Sequence, residues 1–88
     1  MRTVFLSHFS KDLDKIKDTA VKAEILNLIL KIEELPDYRK IPDLKKLKSY
    51  KFAFRIKCGS YRIGVFIEKN NLEFARIAHR KDIYRIFP

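Results

Sequence analysis

The chain has 88 residues and a formal net charge of +9, with 20 Lys and Arg against 11 Asp and Glu. This length fits one domain, spanning residues 1–88. The apolar share of 47% is too high for a disordered tail. Such a surplus of positive charge on a small body attracts polyanions. Nucleic acid, an acidic protein and an anionic membrane surface all remain open at this point.

Cysteine and apolar content argue against several other classes of protein. The single cysteine, Cys58, cannot form an internal disulfide, which favours a reducing compartment. No Cys/His cluster or carboxylate cluster predicts a metal site, and we expect no cofactor. The N-terminus lacks the apolar stretch of a signal peptide, and no apolar run approaches the ~20 residues of a membrane span. We therefore expect a cytoplasmic protein.

The first half of the chain predicts a strand followed by two helices. Residues 2–7 are β-branched and apolar, as in a short strand. Ser10 is predicted as the N-cap of the first helix, and Asp18 or Thr19 as the cap of the second. Pro36 ends the second helix. Apolar residues recur along that helix at steps of four and three, namely Val21, Ile25, Leu28, Ile32 and Leu35. The short connection predicts an antiparallel helical hairpin.

After Leu47 the apolar period changes to two, which predicts strands. A strand through Phe52, Phe54 and Ile56 leads to a turn at 58–60. A second strand over 61–68 is followed by a turn at 70–71 and a third strand over 72–79. The predicted fold class is α+β, in the order β-α-α-β-β-β. The helical hairpin would pack on one face of a small, mainly antiparallel sheet.

A two-residue turn at Gly59 and Ser60 sets the register of the first hairpin. It places the apolar residues of both strands opposite one another on one face, and Lys57 opposite Arg62 on the other. A second turn at 70–71 would place His79 opposite Arg62, so that Lys57, Arg62 and His79 line one exposed face. One residue does not fit, because Arg76 would then fall on the apolar face. Either Arg76 lies near an edge, or a bulge shifts the register.

Facing like charges destabilise a sheet, so a row of cations needs a reason. An anion site, in particular a phosphate site, is one interpretation; a solvated basic face is the other. The C-terminal run His79–Arg85 adds more groups suited to phosphate chemistry. Histidine transfers protons near neutral pH, arginine forks onto phosphate oxygens, and tyrosine stacks on bases. The plainer alternatives are a surface role for His79 and a packing role for Tyr84 beneath Ile83 and Phe87.

Residues 50–86 resemble the RelE/ParE superfamily of bacterial toxins, on the RelE side. The resemblance is carried by the strand ending FRIKCGSYRIG and by the apolar strand before HRKDIYR, and it extends in pattern to the helical hairpin. It implies the toxin component of a type II toxin–antitoxin system. Such toxins cleave mRNA in the ribosomal A site and are held inactive by an acidic antitoxin. The implied partners are that antitoxin, in a hetero-oligomer, and mRNA on the ribosome.

The resemblance also implies roles for individual residues. Arg62 and Arg80 match arginines that stabilise the scissile phosphate, and Tyr84 matches a tyrosine that orients the substrate. Arg55 matches a basic residue of the same cluster, whereas Ala53 stands where some members carry lysine. His79 is the natural replacement for that proton-transfer group. The remaining cations expected to bind phosphates are Lys57, Lys81 and Arg85.

The expected reaction is cleavage by the RNA's own 2′-hydroxyl without a metal ion. Arg62 and Arg80 would stabilise the phosphorane, and His79 would act as general acid or base. Two alternatives remain open. A ParE-like protein would inhibit DNA gyrase without nuclease activity, and a non-catalytic basic module would only bind nucleic acid.

Overall fold

The computed structural model describes all 88 residues, which form five strands, three α-helices and one 3-10 turn. In chain order these are β1 (Arg2–Phe5), α1 (Ser7–Asp14), α2 (Thr19–Glu34), the 3-10 turn (Tyr38–Lys40), β2 (Leu44–Lys46), β3 (Ala53–Cys58), β4 (Tyr61–Glu68), β5 (Asn71–His79) and α3 (Ile83–Ile86). None of the helices combines the length and the apolar character that a membrane span requires.

The strands form one sheet in the order β1-β5-β4-β3-β2. β1 runs parallel to β5, and every other pair is antiparallel. The predicted α+β class is confirmed. Two elements were not predicted, namely β2 and α3. Both are short, with three and four residues, and neither shows a full period of alternation or of helical spacing.

The two main helices begin differently. At α2 the Asp18 carboxylate accepts the backbone N–H groups of Ala20 and Val21 at 3.0 and 3.2 Å, which confirms the predicted cap. The prediction that Ser10 caps α1 is wrong, because α1 begins at Ser7 after Leu6, with no side-chain cap. The Leu6 N–H bonds to the Phe74 carbonyl, so the chain passes from the sheet straight into the helix.

The core lies between the helices and one face of the sheet. Ile25, Ile29 and Ile32 of α2 are buried there. The sheet supplies Ile56, Ile63, Val65, Ile67, Leu72, Phe74 and Ile77 to the same cluster. The predicted apolar stripe of α2 is therefore its buried face, with Val21, Leu28 and Leu35 at the margin of the core.

The register of the first hairpin is confirmed. Phe54 lies opposite Val65, Ile56 opposite Ile63, and Lys57 opposite Arg62. Gly59 in the turn has φ +58°, in the left-handed region that glycine adopts without a steric penalty.

The register predicted for the second hairpin is wrong. The turn lies at Lys69 and Asn70 rather than 70–71, and Lys69 has φ +57°. Asn70 is held in place because its side-chain amide donates to the Pro36 carbonyl at 3.0 Å and its own carbonyl accepts the Arg2 N–H. Further along, Phe74 pairs with Val65 but Arg76 pairs with Gly64, so Ala75 is the extra residue of a β-bulge. The bulge anticipated from the position of Arg76 is present.

The bulge and the C-terminal segment build a second, smaller core on the other face of the sheet. Ala53, Ala75, Ile83 and Phe87 are buried together there. The Phe87 ring lies against Gly64, where an added Cβ would stand 2.5 Å from ring carbons. Glycine at position 64 is therefore what lets the C-terminal segment close onto the sheet.

Replacing Gly64 by alanine should destabilise the fold by about 1–3 kcal/mol, because the new methyl group forces the Phe87 ring away. Chemical denaturation measures the change. Phe87→Ala in the same background tests the cause. If the Phe87 ring is the obstacle, the Gly64→Ala penalty should shrink when the ring is absent. An equal penalty in both backgrounds would contradict this explanation.

Candidate functional site

A row of cations occupies the face of the sheet away from α2. Lys57 lies directly opposite Arg62, and in the next row Lys45 lies opposite Arg55, which lies opposite Gly64. Cross-strand partners share a face, as do residues two apart on a strand. We call Lys45, Arg55, Lys57 and Arg62 the basic face. Lys45 was not predicted to belong to it, because only the pairing of the unpredicted β2 with β3 brings it there.

The two arginines of the basic face are oriented by carbonyl groups. Arg62 Nη1 donates to the carbonyls of Gly59 and Tyr61 at 2.9 and 3.0 Å. Arg55 Nη1 donates to the carbonyl of Asp43 at 2.9 Å. Neither guanidinium is in an ion pair, so both keep their full charge and several unused N–H donors. Such groups are suited to bind phosphate oxygens.

The structure contradicts the predicted position of His79. The shifted register places His79 opposite Tyr61 and places Ala78 opposite Arg62. A shift of one residue moves a side chain to the other face, so His79 does not share the basic face with Lys57 and Arg62. Its ring packs edge-on against Tyr61, with the centroids 5.9 Å apart.

The hydrogen bonding of His79 also defines its tautomer. Nδ1 accepts the backbone N–H of Lys81 at 3.2 Å, so the proton of the neutral ring lies on Nε2. In this arrangement neither nitrogen is free to accept a proton. For His79 to act as a base, the bond to Lys81 must break first.

The residues that follow β5 are held close to the turn between β3 and β4, next to Lys57 and Arg62 of the basic face. The Arg80 N–H bonds to the carbonyl of Ser60 in the β3–β4 turn at 2.8 Å. Arg80 and Lys81 are exposed. Arg85, by contrast, pairs with the Asp82 carboxylate, which offsets part of its charge.

Tyr84 is not a packing residue. Ile83 and Phe87, on either side of it in sequence, are buried in the second core, whereas 59% of Tyr84 is exposed. The interpretation that Tyr84 packs beneath these two residues is therefore wrong. An exposed tyrosine ring near cations is suited to stack on a base.

The positive charge of the chain is segregated. Residues 7–35, which contain α1 and α2, hold five Lys and six Asp or Glu. The other residues hold 15 Lys or Arg and five Asp or Glu. The helical segment therefore has a net charge of −1 and the remainder +10. A polyanion is attracted to the sheet and C-terminal side of the molecule rather than to its helices.

The model of a protein family described as the ParE toxin of the type II toxin–antitoxin system parDE matches residues 4–84. The chain belongs to the RelE/ParE toxin family. A relative from Methanocaldococcus jannaschii, toxin RelE3, is 36% identical over 92 residues, covering 100% of both chains. The chain is thus the toxin of a type II toxin–antitoxin system, as its sequence predicts.

Solved structures of family members agree with the fold. The toxin of the RelB–RelE antitoxin–toxin complex from Methanococcus jannaschii superposes with a TM-score of 0.80 at 32% identity, covering 97% of this chain and 99% of that one. The archaeal RelE–RelB complex from Pyrococcus horikoshii gives a TM-score of 0.70 at 19% identity, covering 93% of this chain and 97% of that one. At the lower identity the likeness concerns the fold alone.

Proposed function

We propose that this toxin is an endoribonuclease that cleaves mRNA on the ribosome and so inhibits translation. The observation that carries the proposal is the basic face, on which Arg55 and Arg62 are oriented by carbonyls and not neutralised by carboxylates. Exposed Arg80 and Tyr84 follow β5, which pairs with the strand of Arg62. Cations aimed at a phosphodiester, with a ring to hold a base, are what RNA cleavage needs.

In the proposed reaction the 2′-oxygen attacks the adjacent phosphorus. The P–O2′ bond forms, the bond to the 5′-oxygen breaks, and the products are a 2′,3′-cyclic phosphate and a 5′-hydroxyl. The proton of the 2′-hydroxyl passes to a solvent water, and a protonated side chain of the basic face donates a proton to the leaving 5′-oxygen. Arg62 and Arg80 stabilise the negative charge that develops on the phosphorane. Lys81 and Arg55 hold the flanking phosphates.

The geometry makes Lys57 a stronger candidate than His79 for delivery of the proton. Lys57 is exposed and directly opposite Arg62, whereas His79 lies on the other face with Nδ1 occupied. The ammonium of Lys57 can protonate the leaving oxygen while Arg62 binds the phosphate. His79 then serves to anchor the turn at Lys81, and Tyr84 orients a base.

We propose further that an acidic antitoxin inhibits the toxin by covering its basic side. The relatives of known structure from M. jannaschii and P. horikoshii are complexes with RelB antitoxins. The sheet and C-terminal side, with a net charge of +10, attracts an acidic chain for the same electrostatic reasons as it attracts RNA. An extended segment that orders on binding can occupy such a surface.

Inhibition of DNA gyrase is the second candidate, because the matching family model is that of ParE toxins. Induction of the chain in bacteria, with separate measurements of translation, mRNA ends and plasmid supercoiling, distinguishes the two. We expect new mRNA ends within translated regions, a fall in protein synthesis and unchanged supercoiling. Loss of supercoiling with intact mRNA would support gyrase inhibition instead. If neither mRNA nor supercoiling changes, both candidates are wrong.

A further inference from the structure

The outer face of α2 carries an apolar stripe that nothing in the chain covers. Leu26 is 42% exposed and Leu30 is 59% exposed, whereas Ile25, Ile29 and Ile32 on the sheet-facing side of the helix are buried. Residues four apart are neighbours on a helix surface and turn only about 40° around the axis, so Lys22 and Glu34 continue the stripe at its two ends as it winds slowly around α2. The order along the helix is a cation, two leucines and an anion.

A cleft runs beside this stripe, between α1 and α2. Leu26 and Leu30 form one side of it, and Phe5 and Leu13 contribute to the other. The cleft has a volume of about 430 Å³ and is predominantly apolar. An apolar cleft next to two exposed leucines is typical of a surface that receives another helix.

The charge distribution favours contact between copies here and disfavours it elsewhere. The helical segment has a net charge of −1, whereas the rest of the chain has +10. Two copies that approach through their sheet sides repel one another strongly, whereas the repulsion is much weaker when they approach through α2, because distance and salt then screen the two basic sides from each other.

We propose that two copies of the chain associate through α2, packed antiparallel about a twofold axis level with Leu28. This arrangement does not depend on the proposed RNA cleavage. Leu26 of each copy then faces Leu30 of the other, and Lys22 of each faces Glu34 of the other. The stripe is complementary to itself when reversed, as a twofold interface requires. Neither Lys22 nor Glu34 is in an ion pair within its own chain.

The interface leaves the basic face free. α2 packs on the face of the sheet that carries Ile56 and Ile63, and the basic face is on the other side. The two basic faces of a dimer therefore point outward. A helix of 16 residues is about 24 Å long, so the contact is smaller than that of a permanent dimer. The association is accordingly weak and depends on concentration.

Sedimentation velocity over a concentration series up to about 1 mM tests the proposal. A dimer with a dissociation constant above that limit would be too weak to support the proposed interface. The mean mass of the full chain should rise with concentration from 10.5 kDa towards twice that value. Leu30→Glu should keep the chain at the monomer mass, because each interface would then bury two unpaired carboxylates. Its thermal unfolding should stay close to that of the unchanged chain.

Charge exchange tests the register. Lys22→Glu and Glu34→Lys should each weaken association by about tenfold, because like charges then face each other twice in every dimer. The double variant should restore it. Lys31→Glu, which makes the same charge change on another side of α2, should have a much smaller effect. A chain that stays monomeric throughout, including one whose stripe binds only an antitoxin helix, would overturn the proposal. So would a double variant that associates no better than the single ones.

Discussion

Replacing Arg62 by alanine should lower the rate of RNA cleavage by about a hundredfold or more, with little change in stability. The rate falls because the guanidinium of Arg62 stabilises the phosphorane more strongly than the ground state. A hundredfold loss of rate corresponds to an increase of about 2.7 kcal/mol in the activation free energy. The two hydrogen bonds that Arg62 makes go to turn carbonyls near solvent, so the fold loses at most about 1 kcal/mol. The variant also removes the repulsion between Arg62 and the facing Lys57, which offsets part of that loss.

The measurement is paired: cleavage of a ribosome-bound message, and thermal unfolding of the same preparations. Arg2→Ala is the matched control. Arg2 lies in the row of Glu68, six residues along β4 from Arg62, or about 20 Å away. Arg2→Ala removes the same charge as Arg62→Ala but should leave the rate of RNA cleavage within a few fold of that of the unchanged chain. If Arg62→Ala folds normally and cleaves at the original rate, Arg62 has no part in the reaction. If both variants lose activity equally, general attraction explains the effect instead.

The parts of the fold that the sequence predicted are those in which a local signal has only one solution. The turn at Gly59 follows from a glycine that tolerates positive φ, and the alternation of Phe54, Ile56 and Ile63 allows one register with all apolar residues inside. The same signal predicts part of the candidate site correctly, because Lys57 and Arg62 belong to that hairpin. Their direct opposition is confirmed.

The predicted register of the second hairpin is wrong because contacts from distant parts of the chain determine it. Asn70 is held by Pro36 and Arg2, which moves the turn back by one residue. Ala75 is the extra residue of the bulge and is buried with Phe87 in the second core. No local sequence pattern predicts that contact. The error transferred His79 to the wrong face. Lys45 was missed for a similar reason, since a three-residue edge strand has no periodicity of its own.

A buried ion pair explains the residue that the sequence pattern could not place. Beyond Phe74, β5 has no neighbouring strand on the side away from β4, because β1 ends at Phe5. Asp12 of α1 takes the place of that strand. Its carboxylate accepts the backbone N–H of Ile77 at 3.1 Å and two N–H groups of Arg76, at 2.7 and 3.1 Å. Arg76 thus stands at a sheet edge and beside a bulge, the two alternatives that its position had suggested.

Replacing Asp12 by alanine should destabilise the fold by about 3 kcal/mol. The variant leaves the Ile77 N–H without its acceptor and Arg76 without its counter-ion. The Asp12 side chain is 9% exposed and that of Arg76 is 26% exposed. Breaking one partner of a buried pair costs about 3–5 kcal/mol, and the partial exposure of Arg76 places the expectation at the lower end. Asp14→Ala is the control, because it removes an exposed carboxylate from the same helix with no ion pair to lose.

The pH dependence of this difference identifies its origin. Burial raises the pKa of Asp12. The hydrogen bonds from Arg76 and Ile77, together with the charge of Arg76, lower it by more than burial raises it, so the pKa lies below the ordinary 3.8. A depressed pKa means that the stabilisation is complete well above pH 4 and is lost as the pH falls through the folded-state value. Asp37, whose pKa is about 2, titrates in both proteins and cancels in the comparison. The gap in unfolding free energy between the unchanged chain and Asp12→Ala should therefore be constant from about pH 5 to 7 and narrow below pH 4. A gap that stays the same down to pH 2 would show that Asp12 acts through packing rather than through its charge.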